Sequence, residues 1–354
     1  MIIEAKLLNG STLQSLESSF ERLSDINSIV ITNTPNVKFL SHCFYFDTNL
    51  SDIFIDYKSI PKISGNGLDG TFFNTRSLYE GFFDDFISNR DTSELNSLKE
   101  TFKYSNLIIS PFDTSNVEDI QSCFYGAREI KGGWNFDNVI DASYAFSNCN
   151  SSTFPVINFP NCTNFYSTWA YSQFTSFPTI DVSNGVDFGR AWGDSTLNSF
   201  PSDTNGVCTL DFGNATNMDN CFIRVGVANM PKLNINTNKY CSIDNIFYSS
   251  NMITFGGFNS DAKIVGYKGV FVYSELLECI DGDLPRCSTG VYWQAFDGCE
   301  RLRSIRSIDT TGLTSSDYMF NGCTSLVAPN TTEQQQLTVA GGAVYFSGID
   351  CSAK

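Results

Sequence analysis

Residues 112–126 read Phe-Asp-Thr-Ser-Asn-Val-Glu-Asp-Ile-Gln-Ser-Cys-Phe-Tyr-Gly. Val117, Ile120 and Phe124 fall at i, i+3 and i+7, the spacing of one apolar stripe on a short helix. Asp113, Ser115 and Asn116 precede the stripe and can accept hydrogen bonds from the free N–H groups of a first turn. Gly126 can stop the helix, and Ile130 resumes the apolar pattern. The stretch predicts a cap, a short helix, a stop and a return strand. One such unit cannot bury its own apolar face, so it must stack on others.

The others are present along the whole chain. With the last aromatic of the stripe as anchor, the series is Phe20, Phe44, Phe72, Phe102, Phe124, Phe146, Trp169, Trp192, Phe222, Phe247, Phe271, Phe296 and Phe320. Consecutive anchors lie 22 to 30 residues apart. The residue four before the anchor is apolar or aromatic in every copy but the last, which has Ser316. Eleven before the anchor stand Asn9, Asn33, Asp91, Asp113, Asn135, Asn158, Asp181, Asp211, Asn236 and Asp309. Two columns in phase establish a repeat.

The wording of the unit resembles the BspA-like leucine-rich repeats, short surface-protein repeats also seen in mycoplasma lipoproteins. Their pattern runs roughly F-D-T-S-N-V-x-x-M-x-x-M-F-x-G-C-x-x-L-x-x-L. Residues 112–126 match it best, and 139–149 and 318–326 (Y-M-F-N-G-C-T-S-L) follow closely. This chain departs from the pattern in using Phe and Trp where Met and Leu are usual. The resemblance implies adhesion or binding of many kinds and fixes no ligand.

Repeat and resemblance together predict an α/β, right-handed leucine-rich-repeat-like solenoid. It would have about 13 repeats of 22–30 residues, with a parallel sheet of short strands and short helices. Residues 1–28 read as an N-terminal capping repeat with a helix over 12–23, and 29–326 as the solenoid. Residues 327–354 read as a C-terminal cap or contact segment holding a strand at 337–346. Phe82, Phe83 and Phe86 fill an insertion and are expected to pack on the core. Trp169 and Trp192 hold anchor positions, so both should point inward and lie near each other.

The chain has 354 residues and a net charge of −16, which disfavours nucleic acid and anionic membrane as partners. Of the twelve cysteines, Cys43, Cys123 and Cys221 sit one residue before an anchor, and Cys149, Cys299 and Cys323 three after. Cysteines in repeat positions behave as small buried residues, so mostly free thiols are expected. The first ten residues do not read as a signal peptide, and no stretch approaches a membrane span.

No catalytic, cofactor or metal constellation is visible. His42, the single histidine, adjoins Cys43, and i,i+1 side chains do not face each other on a helix. Half of the Asx column is Asn, so turn formation is expected there rather than calcium binding. The expectation is a non-enzymatic binding or structural protein recognising a protein or glycan. Surface-type repeats without an export signal fit a phage virion adhesin or decoration protein, possessing other virion proteins as partners. The alternative is a bacterial surface or secreted interaction protein.

Overall fold

The computed structural model describes residues 4–7, 11–56 and 58–326. The chain falls into two units, Met1–Cys162 and Thr163–Lys354. The first contains β1 (Glu4–Leu7), β2 (Ser28–Ile31), β3 (Asp52–Ile55), β4 (Lys62–Gly65), α1 (Phe82–Ile87) and β5 (Asp91–Leu95). β1, β2 and β3 form one parallel sheet and β4 and β5 another. The second unit contains β6 (Asn229–Met230), β7 (Thr254–Phe255), β8 (Cys279–Leu284) and β9 (Ser304–Ile308), a parallel sheet in sequence order. Isolated parallel bridges five residues before the anchors, such as Asp119 to Asp141 and Asn217 to Ser242, continue the pairing where no strand is named. This is a solenoid of stacked parallel coils, as the repeat predicts.

The α/β expectation is corrected. Among the described residues the one α-helix is α1, six residues in the insertion between two anchors. The segments expected to be helices, 12–23 and 117–124 among them, are chains of tight turns. Every anchor is flanked, two residues before and two after, by a residue in the left-handed region: Ser122 (φ 55) and Gly126 (φ 75) around Phe124, Arg190 (φ 56) and Asp194 (φ 58) around Trp192. Two left-handed residues four apart cannot belong to an α-helix. Val117, Ile120 and Phe124 are nevertheless all buried, because the turns bring the same three positions inward.

The turns follow a fixed hydrogen-bond plan. Leu40, His42, Phe44 and Phe46 donate their N–H groups to the carbonyls of Gly67, Asp69, Thr71 and Phe73 in the next coil, at 2.7, 2.8, 3.2 and 2.8 Å. The intervening Cys43, Tyr45 and Asp47 donate back to Leu40, His42 and Phe44. In the second unit Met218, Asn220, Phe222 and Arg224 repeat the plan on Ser242, Asp244, Ile246 and Tyr248.

Inside each corner the anchor rings stack. Phe20, Phe44, Phe72, Phe102, Phe124 and Phe146 follow one another at centroid distances of 6.1, 5.8, 6.1, 5.8 and 5.3 Å. Trp169, Trp192, Phe222, Phe247, Phe271, Phe296 and Phe320 do the same at 4.9, 5.4, 5.7, 5.4, 5.2 and 5.1 Å. Five stacked pairs in the first unit and six in the second give about eleven closed coils rather than thirteen full repeats. Phe82, Phe83 and Phe86 of α1 are buried edge-on against Phe72, at 5.8, 5.6 and 5.6 Å.

The polar columns serve the backbone. Asp91, Asp113, Asn135, Asp181, Asp211, Asn236 and Asp309 each accept the N–H of the residue two ahead at 2.8–3.1 Å, an Asx turn. Asn36, Asn116, Asn138, Asn161 and Asn214, eight before their anchors, donate side-chain amides to the preceding coil. Among the described residues ten cysteines are free thiols, and Cys279 is disulfide-bonded. Cys149, Cys299 and Cys323 donate to the carbonyls of the preceding anchors Phe124, Phe271 and Phe296, as Ser250 and Ser274 do in their own coils. The expected strand at 337–346 and the rest of 327–354 lie outside the described residues, as does Asn9.

The left-handed sites give a test with opposite signs for the two architectures. Asn220 has φ 58. Asn220→Gly should leave the unfolding midpoint unchanged or raise it, and Asn220→Val should cost about 1–2 kcal/mol. In a helix the glycine would be the worse residue. Urea unfolding of both variants reads the order directly.

Candidate functional surface

The residues after the anchor leave the core in several copies, among them Arg22, Tyr45, Phe46, Lys103, Tyr104 and Tyr125, whereas Phe73 stays buried. In the first unit these outward positions carry a run of aromatic and cationic side chains from successive coils. Tyr45 stacks on Phe73 at 4.3 Å and 21°. Phe46, 46% exposed, lies 6.0 Å from Phe73 on its other flank. Phe73 meets Tyr104 edge-on at 6.0 Å, and Tyr104 meets Tyr125 at 5.0 Å. Arg22 sits over the Tyr45 ring at 5.8 Å, and the Lys103 ammonium sits 5.5 Å from Phe73 and 5.4 Å from Tyr125. All three distances are within cation–π range.

Local backbone chemistry permits the arrangement. Gly126 takes the left-handed φ of 75, and a Cβ there would come within 3.0 Å of the Tyr104 ring, so glycine lets that ring lie flat on the next coil. Gly70 does the same for His42, whose ring would be 2.6 Å from a Cβ. His42 also lies 5.2 Å from Tyr45, so the single histidine belongs to this aromatic surface. Burial raises the Tyr45 phenol's pKa, helped by the Glu100 charge and opposed by Arg22 and Lys103. Lys103 is held by Glu100 at 2.7 Å, which fixes its ammonium between the rings.

Corresponding outward positions of the second unit are also aromatic and charged. Arg190 lies 4.9 Å over Tyr171 and pairs with Asp194 at 2.7 Å. Arg224 reaches the other oxygen of Asp194 at 2.5 Å, and Tyr248 meets Tyr273 at 5.8 Å. The two arginines hold the Asp194 carboxyl below its ordinary pKa against the opposing effect of burial.

Eleven of the thirteen anchors are buried in the core, and Phe20 and Phe320 are half-buried. Trp169 and Trp192 are fully buried and stack at 4.9 Å and 14°. The outward strip was not singled out from the sequence. Its signal was available as columns one and two residues after the anchor, where Tyr45, Phe46, Phe73, Lys103, Tyr104 and Tyr125 fall.

Fold and columns define a repeat-built scaffold whose coils are held by backbone ladders and stacked rings. More narrowly, its repeat unit resembles the BspA-like leucine-rich repeats. Residues 68–159 match the model of a family described as a Mycoplasma protein of unknown function, DUF285. A leucine-rich repeat protein from Bacteroides ovatus is similar in structure at 16% identity and a TM-score of 0.47, over 92% of this chain and 74% of that one. A leucine rich cell surface protein from Faecalibacterium prausnitzii is similar at 15% identity and a TM-score of 0.44, over 91% and 82%. No curated protein matches the chain.

Under the strip lies a buried carboxylate. Asp47, next to Phe46, accepts the Leu23 N–H at 2.6 Å through one oxygen, and its other oxygen has no partner among the described residues. Burial pushes its pKa up to about 7 from 3.8. The folded state therefore holds a proton that the unfolded chain releases, and stability falls as pH rises from about 4 to 7. Asp47→Asn should raise the melting temperature at pH 8, with the gain shrinking towards pH 5. An equal gain at both pH values would mean that ionisation is not the cause.

Proposed function

We propose that the chain is a non-enzymatic binding protein that recognises a protein partner through the outward aromatic and cationic strip of its corners. The observation that carries this is the strip itself: Arg22, Tyr45, Phe46, Lys103, Tyr104 and Tyr125 form one run of ring and cation–π contacts over the buried Phe73 ring. Tyr, Phe and Arg are the residue types that protein interfaces favour. Rings fixed on a rigid ladder lose little conformational entropy on binding, which favours affinity.

The setting we infer is a bacterial surface or secreted one, in keeping with the repeat class. The virion reading has no observation of its own in support. In this account residues 29–326 supply the recognition surface, 1–28 the N-terminal capping repeat and 327–354 a second cap or contact segment. The net charge of −16 favours a partner with a basic or neutral face over nucleic acid.

The test compares the full chain with a Tyr45→Ser, Phe46→Ser, Lys103→Ser variant. Phe46 is exposed and Tyr45 and Lys103 are half-buried, so circular dichroism first checks that the variant folds. Proteins captured from a surface extract and identified by mass spectrometry should include one bound by the wild type and lost from the variant, with at least tenfold weaker binding when the purified partner is titrated. Identical captures and affinities for both proteins would refute the assignment.

A further inference from the structure

The sheet of the second unit carries a separate feature that the strip does not use. A trough of about 530 Å³ opens across coils that contain β6, β7, β8 and β9. Its polar lining includes Asn205, Asn229, Lys232, Thr254, Asp283 and Arg306.

The floor of the trough is bare because neighbouring backbones touch. A Cβ at Gly256 would come within 2.4 Å of the Lys232 nitrogen, one at Gly257 within 2.6 Å of the Asp283 nitrogen, and one at Gly282 within 1.9 Å of the Gly256 oxygen. No side chain fits at any of these positions, since the obstacle is backbone. The β8–β9 register shifts between Ile280 and Asp283, where Gly282 lies. Glycines in strands mark such close approaches and bulges. The result is a polar hollow with a peptide floor and side-chain walls.

The walls determine what can fill it. Lys232 and Arg306 are opposed by Asp281 and Asp283, so the trough is close to neutral although the chain carries −16. A strongly anionic ligand would meet two carboxylates and a cationic one would meet two fixed cations. An apolar segment would strip water from charged groups and return no hydrogen bonds. Asn229 accepts the Thr254 hydroxyl through its Oδ1, which leaves the two N–H donors of its amide to offer. Asp283 accepts the Ser307 hydroxyl through Oδ1 and retains acceptor capacity at Oδ2. The hollow thus offers both donors and acceptors, and a ligand dense in hydroxyls, each both donor and acceptor, satisfies them together. The volume falls within the range of small-ligand sites, about 300–1,000 Å³.

We propose that this trough is a binding site for a neutral oligosaccharide. It is carried by the second unit and does not depend on the protein-binding reading of the strip.

Isothermal titration of the full chain with cello-, malto-, chito- and galacto-oligosaccharides tests it, with heparin and polygalacturonate as charged controls. One neutral series should bind, and Asn229→Ala and Arg306→Ala should each weaken it at least about tenfold while the melting curve is unchanged. Thr254→Tyr, which fills the hollow, should abolish binding. The Tyr45, Phe46, Lys103 variant should bind the sugar as the wild type does, so the two assignments fail or stand separately. The proposal is overturned if no neutral series binds, if the polyanions bind in preference, or if the trough variants bind as tightly as the wild type.

Discussion

The pair of left-handed residues around each anchor is the constraint on which the rest depends. With Ser122 and Gly126 at positive φ, alternate peptide groups of the corner turn the same way. Leu98, Glu100, Phe102 and Tyr104 all donate forward to Asp119, Gln121, Cys123 and Tyr125 of the next coil, at 2.8–3.0 Å. In an ordinary parallel strand the intervening residues would donate to the opposite neighbour, whereas here Thr101, Lys103 and Ser105 donate within the corner to Leu98, Glu100 and Phe102. Concentrating four bonds on one side locks adjacent coils in register at the corner. The anchor ring, midway between the left-handed residues, then has one direction available, which is inward. Offset stacking of those rings follows from the register and adds about 0.5–1.5 kcal/mol per pair beyond area burial.

That geometry leaves backbone donors to satisfy, and the polar columns meet the need. In five copies the N–H three before the anchor is accepted by a side chain five before the anchor: Asp119 for Gln121, Asp141 for Ser143, Asn164 for Tyr166, Asp187 for Gly189, Asn217 for Asp219. The requirement carries an electrostatic cost in an acidic chain. Burial raises the Asp119 pKa, its Gln121 hydrogen bond opposes this, and the neighbouring Asp141 charge raises it further. Asn and Ser in the same column meet the hydrogen-bond requirement without charge, which accounts physically for the mixture of acids and amides.

The repeat, its period and the inward anchors were legible because burial leaves a periodic trace. The local conformation was not, because Val117, Ile120 and Phe124 at i, i+3 and i+7 suit a helix and this chain of turns equally well. One sequence signal does separate them. None of the residues at the twenty-six left-handed sites flanking the anchors is Val, Ile or Thr, whereas Gly70, Asn74, Gly126, Asn148, Asn220, Asn245, Gly269, Gly298 and Gly322 recur there. A helix would tolerate β-branched residues at those phases and disfavour the glycines. The outward strip was legible as a column but is one of several exposed columns. The trough was not legible at all, since it depends on which glycines meet backbone from another coil.

The same accounting limits where recognition can occur. Asx, Asn, Ser and Cys columns that look chemically promising are occupied by backbone hydrogen bonds, so altering them would loosen a coil before it changed a ligand. Anchors are committed to the core. The positions without such a duty are those whose side chains leave the corner, such as Tyr45, Phe46 and Lys103, and those bordering the glycine floor. A side chain there can vary while the ladder beneath it stays intact, which is the condition a binding surface needs. In the first unit those positions hold rings and cations, and in the second they also border a trough of about 530 Å³. The backbone plan thus separates the residues that make the scaffold from those that can select a partner.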